Sequence, residues 1–271
     1  MNYQTFRPHP DLEPLIKCHW TLEVPANKDV QRQRIVPDGY IEMFFILGDD
    51  VKRYTSGDTF IIQPREMVLG QITEPFYVEP TGYVNSFAVR FYPYGFANLV
   101  STPIKALANK ETPLQALFGA HDFEQLRSGT IQATSTQERI EVVEAFLLAR
   151  LKSKATLDTI VKTTVDALLS TGGSVSIKAI LNGDQSKRRQ LERKFTKQIG
   201  LSPKQLGKVI RLQAALKMLL SQKAESFTEI AYESEYYDQA HFLKDFKEFT
   251  GTTPKAFLKD DMMALSSLFY K

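Results

Sequence analysis

A single cysteine, Cys18, and only four histidines in 271 residues leave little material for metal or redox chemistry. One thiol can neither close an internal disulfide nor supply a multi-cysteine zinc site, so a reducing compartment is the simple expectation, with the cytoplasm as the location. The histidines also stand apart. His9 and His19 precede the strand-rich stretch, His121 follows it and His241 lies in a helix beside Phe242, so no close set of His and carboxylate ligands is expected, and hence no metal and no cofactor. No serine sits in a nucleophile-elbow motif, and Cys18 has only His19 beside it, which leaves no nucleophile–base pair. No uninterrupted apolar run approaches the roughly 20 residues of a membrane span, and the first ten residues lack the basic-then-apolar layout of a signal peptide. These absences predict a soluble protein that is not an enzyme and has no membrane partner.

Net charge is low as well, at +3, but the charges are unevenly spread. Between Lys178 and Lys217 eleven bases (Lys178, Lys187, Arg188, Arg189, Arg193, Lys194, Lys197, Lys204, Lys208, Arg211 and Lys217) face only Asp184 and Glu192. The remainder of the chain therefore averages acidic. A local cationic block in a nearly neutral protein is the electrostatic footprint of nucleic acid binding.

Up to about Pro93 β-branched and aromatic runs predict strands at Tyr40–Leu47, Thr59–Gln63, Met67–Ile72 and Val84–Tyr92. Turn signals at Pro37-Asp38-Gly39, Gly48-Asp49-Asp50, Ser56-Gly57-Asp58 and Pro80-Thr81-Gly82 separate them, giving a small antiparallel barrel or sandwich. From Tyr94 onward the periodicity is helical. Ser135 and Glu138 form a capping-box pattern before an apolar-periodic run to Leu151, which would pack on the barrel or offer a dimer face. A polar stretch at Ser170–Ser174 reads as a joint between domains. The expected fold class is α+β with two domains: residues 1–172, an antiparallel β-barrel with accompanying helices, and residues 173–271, all helical.

Within the helical region a single pattern occurs twice, 51 residues apart: Leu191, Arg193, Phe195, Gly200, Ser202 and Pro203 are echoed by Phe242, Lys244, Phe246, Gly251, Thr253 and Pro254. In each copy an apolar residue and a Phe four positions on share a helix face, and a Gly followed by Ser/Thr-Pro ends that helix and starts another. In the first copy Leu191, Phe195 and Ile199 form the buried stripe, so Arg189, Gln190, Arg193, Thr196 and Lys197 project outward, next to Arg188. Arg and Gln match guanine and adenine edges in the major groove, and Lys neutralises phosphate; the bland alternative is a solvated cationic face. Ser202, Pro203 and Gln205 then open a long helix to about Ser221, with Lys204, Lys208 and Arg211 along one side at spacings suited to phosphates. The second copy follows a capping box at Ser226–Glu229 and a turn over Glu235-Tyr236-Tyr237. Phe242, Phe246 and Phe249 form its buried stripe, leaving Ala240, Lys244 and Lys247 outward with Gln239, Leu243 and Glu248 beside them. Helix, tight turn and second helix make a helix-turn-helix. Acids surround this copy, so its DNA contact is expected to be the weaker.

These residues resemble the AraC/XylS class of bacterial transcription regulators over about 174–260. Ile210-Arg211-Leu212-Gln213-Ala214-Ala215 is similar to that family's linker-helix stretch, and Ile230-Ala231, Tyr236 to Phe242 and Gly251 to Pro254 are similar to its signature. The resemblance implies two helix-turn-helix subdomains joined by a linker helix, each placing one helix in adjacent major-groove segments of double-stranded DNA. It carries reading positions to Arg189, Glu192 and Arg193 in the first helix and to Gln239, Ala240, Leu243 and Lys244 in the second. Where the family has Gly in the second turn this chain has Glu235, at a cost of about 1 kcal/mol if the backbone there needs φ > 0. The leading helix of the first unit, Ile177–Asn182, is short and interrupted by Gly183. The N-terminal half resembles the cupin-like barrel sensor found in front of many such regulators, on Val36–Glu42 and Val89–Phe96, and this brings no known effector.

In that half Glu42 interrupts an apolar strand and Arg90 does the same in another. Each can point inward, either as a pair that orients a small polar ligand or as a structural salt bridge, with Asp38 and Tyr40 at the rim. The resulting expectation is a DNA-binding regulator whose N-terminal domain senses a small molecule or mediates homodimerisation, with RNA polymerase as a partner if it activates. The alternative is a barrel-based enzyme or ligand carrier with a degenerate helical appendage.

Overall fold

The structure is a computed structural model and describes residues 1–26, 31–151, 158–184, 186–221, 226–263 and 267. The strands among the described residues are β1 (Asn2–Phe6), β2 (Ile16–Val24), β3 (Gln33–Ile35), β4 (Ile41–Ile46), β5 (Val51–Ser56), β6 (Thr59–Ile62), β7 (Glu66–Leu69), β8 (Phe76–Pro80), β9 (Val84–Phe91) and β10 (Glu111–Pro113). They form two antiparallel sheets, one ordered β1-β2-β9-β4-β7-β10 and the other β3-β8-β5-β6. The expected antiparallel barrel or sandwich takes the form of two open sheets: no ladder joins an edge of one to an edge of the other among the described residues.

Parity along β4 and β9 decides what each face does. Ile41, Met43 and Phe45 lie on one face with Phe87, Val89 and Phe91, and pack against α1 (Leu114–Phe118), α2 (Ala120–Gln132) and α3 (Thr136–Leu151) through Leu114, Phe118, Leu126, Ile140, Val143 and Leu147. Both faces are covered, which is why these strands read as near-continuous apolar runs. The alternate residues, Glu42, Phe44, Ala88 and Arg90, face the second sheet, with Glu42 directly opposite Arg90 in register. The Ser135 cap is present, its Oγ accepting from Glu138 N at 3.2 Å, but the apolar stripe of α3 is used up in this core and not offered as a dimer face.

The helical region comprises α4 (Thr159–Ser170), α5 (Ile177–Ile180), α6 (Ser186–Ile199), α7 (Pro203–Leu220), α8 (Phe227–Glu233), α9 (Gln239–Thr250) and α10 (Pro254–Phe257). Two cores share α7. Leu206 and Ile210 join Val161, Val165, Leu168, Leu191, Phe195 and Ile199, whereas Val209, Leu212, Leu216 and Leu219 join Ile230, Phe242, Phe246, Phe249 and Phe257. So α4, which precedes the Ser170–Ser174 stretch, packs into the first helical unit. That stretch is itself folded: Gly173, at φ +82°, lies against α7 so closely that a Cβ would meet Gly207 O at 2.2 Å.

The sheets and the helical region touch through α7. Gln213 Nε2 donates to Pro37 O at 2.6 Å, and Gly39, at φ +80°, brings its backbone against Leu206 and Val209. The turn legible at Pro37-Asp38-Gly39 is thus also the docking point between the two halves. Arg34 pairs with Asp260 at 2.8 Å beyond the second unit, adding a tie on that side.

Candidate nucleic-acid interface

Each helical unit ends its outward helix as the repeat requires. Gly200 (φ +89°) and Gly251 (φ +74°) take the left-handed conformation. Ser202 Oγ then accepts from Gln205 N at 3.2 Å while Gln205 Oε1 accepts from Ser202 N at 3.0 Å, a complete capping box, and Thr253 Oγ1 accepts from Ala256 N at 3.3 Å. At the front of α9, Asp238 Oδ1 accepts from His241 N at 2.7 Å. The turn before it holds Glu235 at φ +58°, the conformation that favours Gly.

On α6 the inner stripe Leu191, Phe195 and Ile199 is fully buried, which fixes the opposite face. Arg189, Arg193 and Lys197 are exposed on that face at four-residue spacing, and among the described residues none of the three has an ion-pair partner. Gln190 is exposed beside them. Their neighbours are engaged: Arg188 pairs with Glu192 at 3.1 Å, Lys187 with Asp184 at 3.1 Å and Lys194 with Asp158 at 2.6 Å. On α9, Gln239, Ala240, Lys244 and Lys247 are exposed, Leu243 is half-buried against the second core, and Gln239 Oε1 accepts from Thr228 Oγ1 at 3.1 Å.

The linker helix differs from the reading of its spacing. Lys204 is exposed, but Lys208 turns to Asp245 and Glu248, and Arg211 donates to Gly173 O at 2.9 Å while its guanidinium stands 5.2 Å from the centre of the Tyr236 ring. These two side chains tie the units together. Spacing showed which side of α7 they occupy and could not show that a buried carboxylate waits there. Two aromatic side chains escaped the sequence reading: Tyr232 and Tyr237 are 79% and 93% exposed, flanking the second turn. The available signal was Tyr237 itself, an aromatic residue outside the apolar period and next to a helix cap.

Between the two sheets and α7 lies a cavity of about 560 Å³. Trp20, Leu22, Phe44, Met67, Leu69 and Val78 make its apolar floor, and Ile210, Gln213, Ala214 and Lys217 of α7 close one side. All four predicted ligand residues line it. Arg90 Nε donates to Glu42 Oε1 at 2.7 Å, Trp20 Nε1 donates to the same oxygen at 2.9 Å, and Arg90 Nη2 stands 3.4 Å from Asp38. Tyr40 takes the Lys17 ammonium both on its hydroxyl, at 2.8 Å, and over its ring. Burial disfavours the Arg90 charge, but the Glu42 and Asp38 carboxylates outweigh it and raise the guanidinium pKa above its ordinary value. Asp38 is pushed up, first by burial and also by Glu42, with Arg90 pulling the other way. No group of three or more His, Cys, Asp or Glu is placed to hold a metal ion among the described residues, nor is any helix there long and apolar enough to cross a membrane.

Two family models match separate parts of the chain. A model described as a helix-turn-helix domain matches residues 185–260, and one described as a domain of unknown function (DUF6597) matches residues 4–113. No curated protein matches the chain. Among solved structures the chain is similar to ToxT from Vibrio cholerae, with 14% identity over 96% of this chain and 98% of that one and a TM-score of 0.48. It is also similar to ToxT from Vibrio cholerae O395, with 15% identity, 95% and 97% coverage and a TM-score of 0.47. The same protein bound to (E)-4-(8-methylnaphthalen-1-yl)but-3-enoic acid gives 14% identity, 96% and 99% coverage and a TM-score of 0.48. With two capped helix-turn-helix units about one linker helix and the domain match that covers them, the C-terminal part is an AraC-type helix-turn-helix domain, the DNA-binding part of transcription regulators, behind an N-terminal domain of unknown function.

Proposed function

We propose that the chain reads duplex DNA through α6 and α9, and that the cavity beneath α7 receives a small effector. The observation that carries the DNA reading is the unpaired stripe Arg189, Arg193 and Lys197 opposite a fully buried stripe. Cations left without protein partners at one-turn spacing match the phosphates and guanine edges of a major groove. Gln190 and, on α9, Gln239, Ala240, Leu243, Lys244 and Lys247 supply the remaining contacts, with Lys204 on the backbone. Lys208 and Arg211 are occupied within the protein and are left out of this contact set. The helical domain in this reading starts near residue 158, because α4 shares the first unit's core.

For the effector, a mostly apolar cavity with a few convergent polar groups at one end suits a small organic molecule with an apolar body and a polar end. Since α7 forms a wall of the cavity and also joins the reading helices, occupancy bears directly on the DNA-binding domain. A regulator of this kind acts beside DNA in the cytoplasm, and any activation proceeds by contact with RNA polymerase. No catalytic role is assigned to the cavity.

The test selects bound sequences from a random duplex pool with the full chain, with and without cell-extract metabolites. A defined motif that degenerates in Arg189→Ala and Arg193→Ala supports the reading. Binding that ignores sequence, or is unchanged in both variants, refutes it.

A further inference from the structure

Between Arg211 and Lys271 the chain has no arginine, so the second helix-turn-helix unit lacks the side chain that pairs bidentately with guanine. The first unit has three on α6 alone, Arg188, Arg189 and Arg193. At the front of α9 the outward residues are short or apolar: Ala240 is exposed, Leu243 is half-buried, and the first cation, Lys244, comes only after them. Gln239 keeps its Oε1 on Thr228 Oγ1 at 3.1 Å, which removes the paired contact that an amide makes with adenine and leaves Nε2 as a donor. One residue ahead of the Asp238 cap stands Tyr237, 93% exposed, with no hydrogen bond, ion pair or ring contact among the described residues. A large ring is thus left in water at the front of the helix. The exposed charges of α8 and of the turn, Glu229, Glu233, Glu235 and Asp238, are all acidic, so a DNA contact at this end draws nothing from phosphate attraction.

Building on the reading of DNA by α6 and α9, we propose that the second unit recognises thymine methyl groups, with Tyr237 as a specificity-determining residue beside Ala240 and Leu243. The N-terminal end of the outward helix is the part of a helix-turn-helix that meets base edges. Thymine alone among the four bases puts a methyl group into the major groove, and small apolar and aromatic side chains pack on it. Its O4, next to that methyl, accepts the N–H that Gln239 has left to give. The two half-sites therefore differ in kind: guanine under Arg189 and Arg193, thymine under the front of α9, with Lys244 and Lys247 on phosphates farther along.

Deoxyuridine is thymidine without the methyl, so selection with the full chain from two random duplex pools, one built with each, tests this directly. The guanine half should emerge from both pools and the thymine half from the thymidine pool only. On the selected duplex, each methyl removed from that half should weaken binding about fourfold, the worth of one buried methyl-sized group. Tyr237→Ala should weaken binding to the thymidine duplex and lose the response to deoxyuridine at the position Tyr237 covers, while Tyr237→Phe should behave as the parent. The near-complete exposure of Tyr237 keeps both substitutions away from the core. A second half-site that is rich in guanine, or that deoxyuridine leaves unchanged, overturns the proposal while the DNA reading stands. So does a Tyr237→Ala chain that tells thymidine from deoxyuridine at every position as the parent does. A chain that selects no motif from either pool overturns the DNA reading and this proposal with it.

Discussion

Lys208 Nζ donates to Asp245 Oδ1 at 2.9 Å, joining α7 to α9 across a carboxylate that is only 1% exposed. Glu248 takes the same ammonium at 3.3 Å. The pair therefore helps to set the angle between the two units, and the Lys208 charge is balanced before any DNA arrives. Asp245 is only half satisfied: its Oδ2 has no hydrogen-bond partner and lies 3.8 Å from His241.

Lys208→Met should consequently act on folding. Removing one partner of a buried pair typically costs 3–5 kcal/mol, and the quarter exposure of Lys208 reduces this to about 2 kcal/mol. Urea unfolding measures it. The salt dependence of DNA binding should keep its slope, because no phosphate contact is lost. A variant of unchanged stability whose slope falls by about one would reassign Lys208 to the DNA backbone.

Arg189→Ala and Arg193→Ala should show the opposite signature. Neither residue has an ion pair among the described residues, so unfolding should be unaffected, while each substitution costs about 1–3 kcal/mol on the preferred DNA sequence and far less on random duplex. Gel-shift titration against both duplexes reads the difference. Equal losses on the two would mark the side chains as phosphate contacts only.

The contrast between these residues shows where sequence reasoning reaches. The Leu191–Phe195–Ile199 and Phe242–Phe246–Phe249 periods and the Gly-Ser/Thr-Pro stops are local signals, and the helices, their caps and their outward faces follow from them. Pairings between distant segments are not local. Nothing near Lys208 in the chain announces Asp245, and β2, β5 and β8 were hidden because their half-exposed faces mix charged with apolar residues, as in Lys52-Arg53-Tyr54. Glu42 and Arg90 were legible as charges in apolar strands; that they meet across register, under Trp20 and beside α7, needed the sheet order.

Glu42→Leu tests the cavity's polar end. Glu42 Oε1 receives both Trp20 Nε1 and Arg90 Nε, so its removal takes a shared carboxylate from two buried donors. A loss of about 3–5 kcal/mol is expected in denaturant unfolding. A loss under about 1 kcal/mol would mean that the pair is solvated and expendable.

His19 should give the fold a pH dependence. The ring is fully buried against Phe87, with Nε2 2.9 Å from Glu144 Oε1, and burial lowers its pKa despite the opposing effect of Glu144. The native state thus holds His19 neutral while the unfolded chain takes up a proton near pH 6.5. Stability from this residue is complete above that value and declines as pH falls below it, toward the depressed native pKa, by at most about 1.4 kcal/mol per unit. Comparing urea midpoints at neutral and mildly acid pH, the parent should lose more than His19→Gln. Parallel losses in the two would place the titration elsewhere.

Glu235→Gly should stabilise the protein. At φ +58° the Glu235 Cβ crowds its own backbone, and the strain is relieved only by removing that atom. The side chain is exposed and its backbone N–H donates to Tyr232 O at 3.0 Å, a bond that glycine retains. Glycine loses more freedom on folding, which offsets some of the relief, so the net gain should be about 1 kcal/mol or somewhat less. The gain should belong to the second unit, because the turn carries Tyr236 into that unit's core, where it packs on Phe242 with ring centres 5.4 Å apart. Thermal unfolding of Glu235→Gly beside Glu235→Ala separates backbone from side chain: alanine keeps the strained Cβ and should gain nothing. If alanine stabilises equally, the charge among its acidic neighbours, and not the turn, is what Glu235 imposes on the helix-turn-helix.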